Sequence, residues 1–462
     1  MDKQRQFENV FKRKWIKIFC AVAAAGLAYA FAPESMPEAA RRVLFVFVLA
    51  GLFWATEAIP LYATALLNVL LLTFLLCKPG GVLNMDEMGY SVFMLPFGSS
   101  IIMLFFGGLV MAAALQKYGI DKLTASAMLK FFGTNPVFVM SGFILCTAFL
   151  SMWMSNTATT AMMITMIIPL VRQMDADDPF RTALILCIPF AANIGGIATP
   201  IGTPPNAIAI GILANYGIHL SFFGWMKMAV PLALILLAVI GVTLTLMFPP
   251  KKKTINLTVD AARKTDDRTR WVMAISVFTV ILWLTSEIHK IPSALTALLA
   301  AGLFVGTGLL TRDDFKTIDW DILVLMWGGL ALGKGIEISG LTQWIVSQPI
   351  FEHRGFWLIA VFGFLSLFMS TFMSNTATAN LIVPVAVAIP GENHILLVTM
   401  IALSCSAAMA FPISTPPNTI AFSTQMLSSR DMLKAGIVVS LIMFGLIIAG
   451  YQLVIPRAFG IH

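Results

Sequence analysis

Two short polar strings, each rich in residues that cap or break helices, occur twice in this chain, in the same order and inside otherwise apolar sequence. Ser155-Asn156-Thr157-Ala158-Thr159 is followed by Ile201-Gly202-Thr203-Pro204-Pro205-Asn206. Ser374-Asn375-Thr376-Ala377-Thr378 is followed by Ile413-Ser414-Thr415-Pro416-Pro417-Asn418. Proline removes a backbone donor and clashes with the preceding turn, so neither flanking segment can run as one unbroken helix. Backbone freed in this way at membrane depth is tolerated only where it is buried in protein or lines a cavity. The fold must therefore bring both pairs of strings inside.

Membrane depth is the right setting. Of the 462 residues, 58% are hydrophobic and 11% charged, with mean hydropathy +0.87, where a soluble domain carries roughly 25% charged residues. The net charge of +7 fits basic residues on cytoplasmic loops, which orient membrane proteins, better than nucleic-acid binding. Cys20, Cys77, Cys146, Cys187 and Cys405 form no CxxC pair, and the five histidines form no HExxH. A disulfide framework or a metal-dependent active site has no support in such spacing. Lys3, Arg5, Lys12, Arg13, Lys14 and Lys17 precede an apolar run ending at Ala32. Ala28-Tyr29-Ala30 looks like a cleavage site, but an uncleaved first helix with its basic flank in the cytoplasm is the expectation for an integral protein.

Spanning the bilayer takes roughly 20 apolar residues. Spans are predicted near 15–33, 43–59, 61–77, 95–116, 182–216, 225–248, 271–287, 292–310, 321–342, 395–429 and 434–456. Those at 182–216 and 395–429 are broken by the Pro-Pro strings. Two more apolar regions, 135–171 and 355–391, carry the Ser-Asn-Thr strings near their centres. Each arm there is short for a full span, so a re-entrant hairpin with the polar string at its tip is expected. The fold class predicted is an all-α polytopic membrane protein with about 11 transmembrane helices plus two re-entrant hairpins.

The repeat is wider than the strings. Trp54 through Pro60 echoes Trp283 through Pro292, Glu287 answers Glu57, and Phe106-Gly107-Gly108-Leu109 echoes Trp327-Gly328-Gly329-Leu330. The offset between copies falls from 230 at Glu57 through 221 and 219 to 212 at Thr203, as an old duplication with small deletions would leave. The expected organisation is an N-terminal segment with the first helix over 1–40, a first repeat over 41–248, a linker over 249–270 and a second repeat over 271–462. Lys251, Lys252 and Lys253 place the linker in the cytoplasm, which makes the sequon Asn256-Leu257-Thr258 a decoy. Five predicted spans, an odd number, separate the Ser-Asn-Thr strings, so the copies must face opposite sides as an inverted-topology repeat.

At a hairpin tip the returning half-helix begins at the Ser-Asn-Thr string, and its free N–H groups carry partial positive charge suited to an anion. Ser155 and Ser374 are also good N-caps, but capping alone needs no Asn and Thr beside them in both copies. At the Pro-Pro breaks, freed carbonyls suit a small hard cation and freed N–H groups an anion. Asn206 and Asn418 either pin the unwound loop or pack behind it. No Lys or Arg occurs from Asn135 to Val171, from Gly355 to Pro390 or from His394 to Ser429. A dianion bound there needs neutralising beyond the half charge of each helix end, and co-bound cations are the natural remainder. Oxygen ligands without carboxylates suit Na⁺ better than a divalent metal, and the strings hold no titratable side chain for proton coupling. Elsewhere, Glu57 and Glu287 read as interfacial partners and Lys334 with Glu337 as an i, i+3 pair. Gly328-x4-Gly333-Lys334 is followed by Gly335 rather than Ser or Thr, which rules out a phosphate loop.

These residues resemble the divalent anion/sodium symporters, whose signature is a paired Ser-Asn-Thr at two hairpin tips with a paired small-residue-Thr-Pro loop in two unwound helices. The resemblance runs from about residue 40 to the C-terminus. It implies a scaffold domain that dimerises and a transport domain that moves as an elevator. It implies a first Na⁺ site at Ser151, Ser155, Asn156 and Gly202, and a second at Ser370, Met373 (backbone), Asn375 and Ser414. It places the carboxylates among Ser155, Asn156, Thr157, Thr203, Pro204, Ser374, Asn375, Thr376, Thr415 and Pro416. Ser414 departs from the family's usual Gly or Ala, and its hydroxyl could add a ligand. The expected function is Na⁺-coupled import of a C4-dicarboxylate (succinate, malate or fumarate) by alternating access, in a homodimer embedded in the lipid of a bacterial inner membrane. A Na⁺-independent dicarboxylate or citrate exchanger, or a carrier of sulfate or another divalent oxyanion, is the alternative. A channel would need a continuous polar pore, and a membrane enzyme a nucleophile–base pair or metal ligands; neither pattern is present. No nucleic acid is expected as partner.

Overall fold

A computed structural model of the chain describes residues 2–78, 81–85, 89–255, 265–348, 355–389 and 393–453. The sequon at Asn256, residues 256–264 of the linker and residues 390–391 of the second hairpin region lie outside these. Helix dominates, with no strand among the described residues. The first long helix is α1 (Asp2–Ala30). Eight follow before the linker: α2 (Glu38–Thr56), α3 (Leu61–Leu76), α4 (Ser100–Lys117), α5 (Pro136–Ser151), α6 (Asn156–Arg172), α7 (Phe180–Ile197), α8 (Pro204–Asn215) and α9 (Phe222–Met247). Eight more follow it: α10 (Asp267–Leu284), α11 (Ser293–Gly306), α12 (Trp320–Ile338), α13 (Phe356–Phe372), α14 (Asn375–Val387), α15 (His394–Ser406), α16 (Pro416–Ser423) and α17 (Ser429–Leu453). Each of α2 to α9 thus has a counterpart eight helices later. Within the described residues, α2, α7, α9, α17 and the stretch Ser91–Lys117 are long and apolar enough to cross a membrane singly. The shorter apolar helices include three of the four hairpin arms, α5, α13 and α14, together with α15.

Local chemistry sets the boundaries. Asn135 begins α5 by accepting from Val137 N at 3.0 Å, with Pro136 in the first turn where its missing N–H costs nothing. Ser221 caps α9 through Gly224 N at 2.8 Å, Asp266 caps α10 through Thr269 N at 2.8 Å, and Asn393 caps α15 through Leu396 N at 3.2 Å. The apolar runs between these caps are buried on one face only; Phe138 of α5, Leu246 of α9 and Trp271 of α10 point outwards. Every residue of α7 from Ala183 to Ile197 is buried, which makes it the central strut of the first half.

The repeats are interlocked rather than side by side. Helix α4 of the first packs along α11 of the second, and α12 of the second packs along α3 of the first. Matching glycines permit the close approach. A Cβ on Gly107 would lie 2.5 Å from Ala297 Cβ, and one on Gly328 would run into Ala65 in the same way. The turns ahead of the two receiving helices match as well: Trp54 Nε1 donates to Leu61 O at 3.1 Å, and Trp283 Nε1 to Ser293 O at 3.0 Å. The far ends of the broken helices meet head to tail. Tyr216, which ends α8, places its ring 6.2 Å from that of His394, which begins α15.

Charged groups sit at helix ends. Glu287 accepts from Ser221 at 2.8 Å and pairs with Lys227 at 3.2 Å, Lys334 pairs with Glu337 at 3.1 Å, and Glu57 lies beside Arg13, Lys14 and Lys17. Lys251 and Lys252 pair with Asp177 and Asp175 just past α6. The crossing of α4 over α11 is tied at one end by Lys117, which donates to Leu309 O at 3.0 Å and to Asp314 at 2.6 Å. The Lys117 ammonium, then the Thr311 hydroxyl, hold the Asp314 carboxyl down at about 2.

Gly107→Val and Gly328→Val are expected to force the crossing helices apart, at about 1–3 kcal/mol each. Lower melting temperatures in detergent, by light scattering or dye binding, would register this. Because the Asp314 pKa is depressed on folding, its contribution is complete above about pH 4 and is lost as pH falls towards 2. Asp314→Asn should therefore start less stable at pH 7 and lose less on acidification than the parent, as a thermal-melt series across pH would show.

Candidate functional site

The two hairpin tips are built alike. Helix α5 ends at Ser151, α6 starts at Asn156, and Ser155 between them caps α6 by accepting from Ala158 N at 3.3 Å. In the second copy Ser374 caps α14 by accepting from Ala377 N at 3.1 Å. The serines do cap, and a further residue in each arm adds a second layer. Ser151 Oγ lies 2.6 Å from Asn156 Oδ1 and 2.8 Å from the Ala192 carbonyl of α7. Ser370 Oγ lies 2.7 Å from Asn375 Oδ1 and 2.9 Å from the Cys405 carbonyl of α15. A serine hydroxyl has one proton and cannot donate fully to both oxygens.

The first cluster is richer still in oxygen. Turning over the Asn156 carboxamide would let its nitrogen donate to Gly202 O at 3.3 Å, Ala192 O at 3.1 Å and Ser151 Oγ at 2.6 Å. With Oδ1 inward, those same oxygens converge with one hydroxyl proton among them. Such a group is held together either by an amide donor or by a small cation, and oxygen ligands of this kind suit a hard monovalent ion. Close approach depends on missing side chains: a Cβ on Gly196 would lie 2.5 Å from Asn156 Oδ1, and one on Gly202 2.5 Å from Gly196 O.

The broken helices are held open by carboxamides. Asn206 Nδ2 reaches Gly196 O at 3.0 Å, Ile197 O at 3.1 Å and Thr199 O at 2.8 Å at the break after α7; Ile197 O also accepts from Trp225 Nε1 at 2.9 Å and Thr199 O from Gly202 N at 3.4 Å. Asn418 Nδ2 does the same for Met409 O at 3.1 Å and Phe411 O at 3.0 Å. Of the two roles open to these asparagines, pinning the loop is the one they perform. Each loop is also tied to its hairpin, through residues that exchange roles. In the first, Thr199 Oγ1 donates to Met152 O at 2.6 Å and accepts from Gly202 N at 3.0 Å. In the second, Ser414 Oγ donates to Thr371 O at 2.8 Å and accepts from Phe411 N at 3.1 Å. The departure at Ser414 is thereby explained: its hydroxyl replaces the one at Thr199 and is occupied in the tie rather than spare for an ion.

Between the tips and the loops lies a cavity of about 510 Å³. Ser155, Asn156, Thr157, Gly202, Thr203 and Pro204 line it from the first repeat, and Ser374, Asn375, Thr376, Ser414, Thr415 and Pro416 from the second. Ser151, Ser370 and Met373 are not among its lining residues; they are buried. Helices α6, α8, α14 and α16 all begin at the cavity wall, so their partial positive N-termini gather at one place. Among the described residues, no Lys, Arg or His lines it. Two acids do, Asp319 and Asp321 at the start of α12, and they lie outside the strings on which the sequence argument rests. Asn193 also lines it from α7, as the one carboxamide in a buried apolar run, a signal readable only in retrospect. Tyr62, Gln116 and Thr317, each near a helix end, join the acids on the lining.

Fold and site together define a polytopic membrane transporter, with one binding cavity shared between two repeats. A family model described as citrate transporter matches residues 51–401 and 288–460. The sodium-dependent dicarboxylate transporter SdcS of Staphylococcus aureus (strain MW2) is 30% identical, covering 93% of this chain and 89% of its own length. An uncharacterized transporter of Schizosaccharomyces pombe, C3B8.04c, is 32% identical over 87% of this chain and 48% of its own length. The crystal structure of the Alcanivorax borkumensis YdaH transporter shares the fold, with TM-score 0.62 at 13% identity over 87% of this chain and 98% of that one. The chain belongs to the divalent anion/sodium symporter family.

Removing either clip should release one carbonyl. In Asn206→Leu, Ile197 O keeps the Trp225 indole and Thr199 O keeps Gly202 N, so Gly196 O is left; in Asn418→Leu, Phe411 O keeps Ser414 N, so Met409 O is left. Each variant is expected to cost about 1–3 kcal/mol, the cost of one buried group left unpaired. Melting temperatures of the two variants, compared in one detergent, should fall by similar amounts.

Proposed function

We propose that this chain is a Na⁺-coupled symporter that imports C4-dicarboxylates such as succinate, malate or fumarate by alternating access, in the inner membrane of a bacterium with its N-terminus in the cytoplasm. The observation that carries this is the charge of the cavity. Among the described residues, its lining holds hydroxyls, carboxamides and four helix N-termini, two acids and no base. Four helix ends at about half a charge each roughly offset a dianion, Asp319 and Asp321 add negative charge to the same lining, and that remainder falls to mobile cations. The oxygen clusters at Asn156 and Asn375 stand directly behind the tips that line the cavity and are the places where Na⁺ would bind. Cations bound there would complete the positive field of the same half-helices, which couples the two cargoes and lowers the charge carried through the bilayer. The first ion would use Ser151, Ser155, Asn156 and Gly202, and the second Ser370, Met373, Asn375 and the backbone of Ser414.

The printed name of the staphylococcal relatives, sodium-dependent dicarboxylate transporter, supports this reading. An elevator movement of the hairpins and broken helices within a homodimer is proposed on the family resemblance. A citrate carrier is the second reading, favoured by the description of the matching family model.

Purified protein in proteoliposomes should take up labelled succinate only with an inward Na⁺ gradient. Equal uptake without Na⁺ that depends on internal dicarboxylate would establish exchange instead, and competition by citrate but not by succinate would favour the second reading. Asn156→Ala and Asn375→Ala should each lower Na⁺-dependent uptake by roughly tenfold or more, the loss of a buried polar contact to a charged group. Rates at the parent value in both variants would reduce the strings to helix caps.

A further inference from the structure

The repeats match in many bonds around the cavity, and one departure reaches from one repeat to the other. Ala192 and Cys405 are equivalent, each offering its carbonyl to a hairpin serine. The residues after them are Asn193 and Ser406. Ser406 turns its hydroxyl back towards Ala402 O on its own helix, at 3.5 Å. Asn193, only 1% exposed, lines the cavity and donates Nδ2 across the repeat boundary to Thr415 Oγ1 at 3.2 Å.

That bond changes what Thr415 can do. Its Oγ1 also accepts from Asn418 N at 3.3 Å, as the cap of α16. A hydroxyl has two lone pairs and one proton. Both lone pairs are then occupied, and no acceptor for the proton is found among the described residues. The equivalent Thr203 makes no side-chain cap bond. Asn193 pays for this arrangement with a buried Oδ1 that has no partner, a cost that an apolar residue at the same place would avoid.

We infer that Asn193 is a positioning residue for the substrate: by holding the Thr415 oxygen it turns that hydroxyl proton to the cavity, as a fixed donor to an ionised carboxylate. This rests on the reading of the cavity as a dicarboxylate site. A fixed donor at the second-repeat end favours an ionised carboxylate over an amide or alcohol, because a hydrogen bond to a charged acceptor is roughly twice as strong as one to a neutral acceptor. The free rotor Thr203 makes no such demand at the other end. The two ends of a pseudo-symmetric site are thereby given different selectivity.

Initial rates of Na⁺-driven succinate uptake in proteoliposomes test this, with monodisperse gel filtration as the check on folding. Asn193→Ala should raise KM for succinate roughly tenfold, the loss of one hydrogen bond to a charged group, while the maximal rate stays within about twofold. Asn193→Asp, of the same shape but accepting only, should draw the Thr415 proton to itself and raise KM further. In a Thr415→Val background, Asn193→Ala should add nothing, because the donor it positions is gone. Should Asn193→Ala not give a monodisperse peak, Asn193→Ser, the residue of the second repeat, takes its place with the same expectation. A parent KM in the Ala or Ser variant, a loss confined to the maximal rate, or additive effects with Thr415→Val would each overturn the inference. Absence of saturable succinate uptake by the unsubstituted protein would instead overturn the reading of the cavity, and the inference with it.

Discussion

A helix broken inside a membrane exposes peptide groups that no solvent can satisfy, and the centre of this protein is organised around meeting that demand. Each break after α7 and α15 leaves carbonyls short of donors. A single carboxamide, Asn206 or Asn418, gathers them. The oxygen clusters at Asn156 and Asn375 stand beside these breaks: Ser151 Oγ and Ser370 Oγ each face a carboxamide oxygen and a carbonyl of the preceding half-helix, Ala192 O or Cys405 O. Such a cluster is held together by an amide donor or by a small cation. The breaks set two of the helix N-termini at the cavity, α8 and α16, and the hairpin tips set the other two, α6 and α14, so the cation places and the anion place adjoin.

The interlocking of the repeats makes that centre rigid without sealing it. Because α4 lies on α11 and α12 on α3, neither repeat can pack its apolar surface alone, and the duplication is kept as one core. The glycine notches at Gly107 and Gly328 set how closely those crossings approach. Departures from the symmetry are equally telling. Thr199 and Ser414 supply the same tie from opposite ends of the loop, so the duplication preserved a bond rather than a residue. Asn193 reaches across to Thr415 with no counterpart in the other half.

Much of this could be read from the residues. The strings at 155–159 and 374–378 mark the hairpin tips because polar, capping residues in an apolar run have one use at membrane depth, and α6 and α14 start at Asn156 and Asn375. The two roles left open for Asn206 and Asn418 were separable only by the carbonyls each side chain reaches. The acids Asp319 and Asp321 escaped notice because they precede an ordinary span, far in sequence from any string, and only the crossing of α12 over α3 brings them to the cavity. Asn193 escaped because one carboxamide in an apolar helix has no spacing to give it meaning.

What the sequence by itself determined was what the protein must contain: apolar runs of membrane length, two breaks, two capped tips, and no basic residue in the apolar regions that carry them. Those follow from local physics, since capping, proline geometry and hydropathy act over a few residues. Only the tertiary structure decided which oxygens face one another, which hydroxyls are already spent, and which residues line the cavity. Those depend on contacts between residues far apart in the chain, such as Asn193 with Thr415 across 222 positions and Lys117 with Leu309 across 192, and no local pattern carries that information.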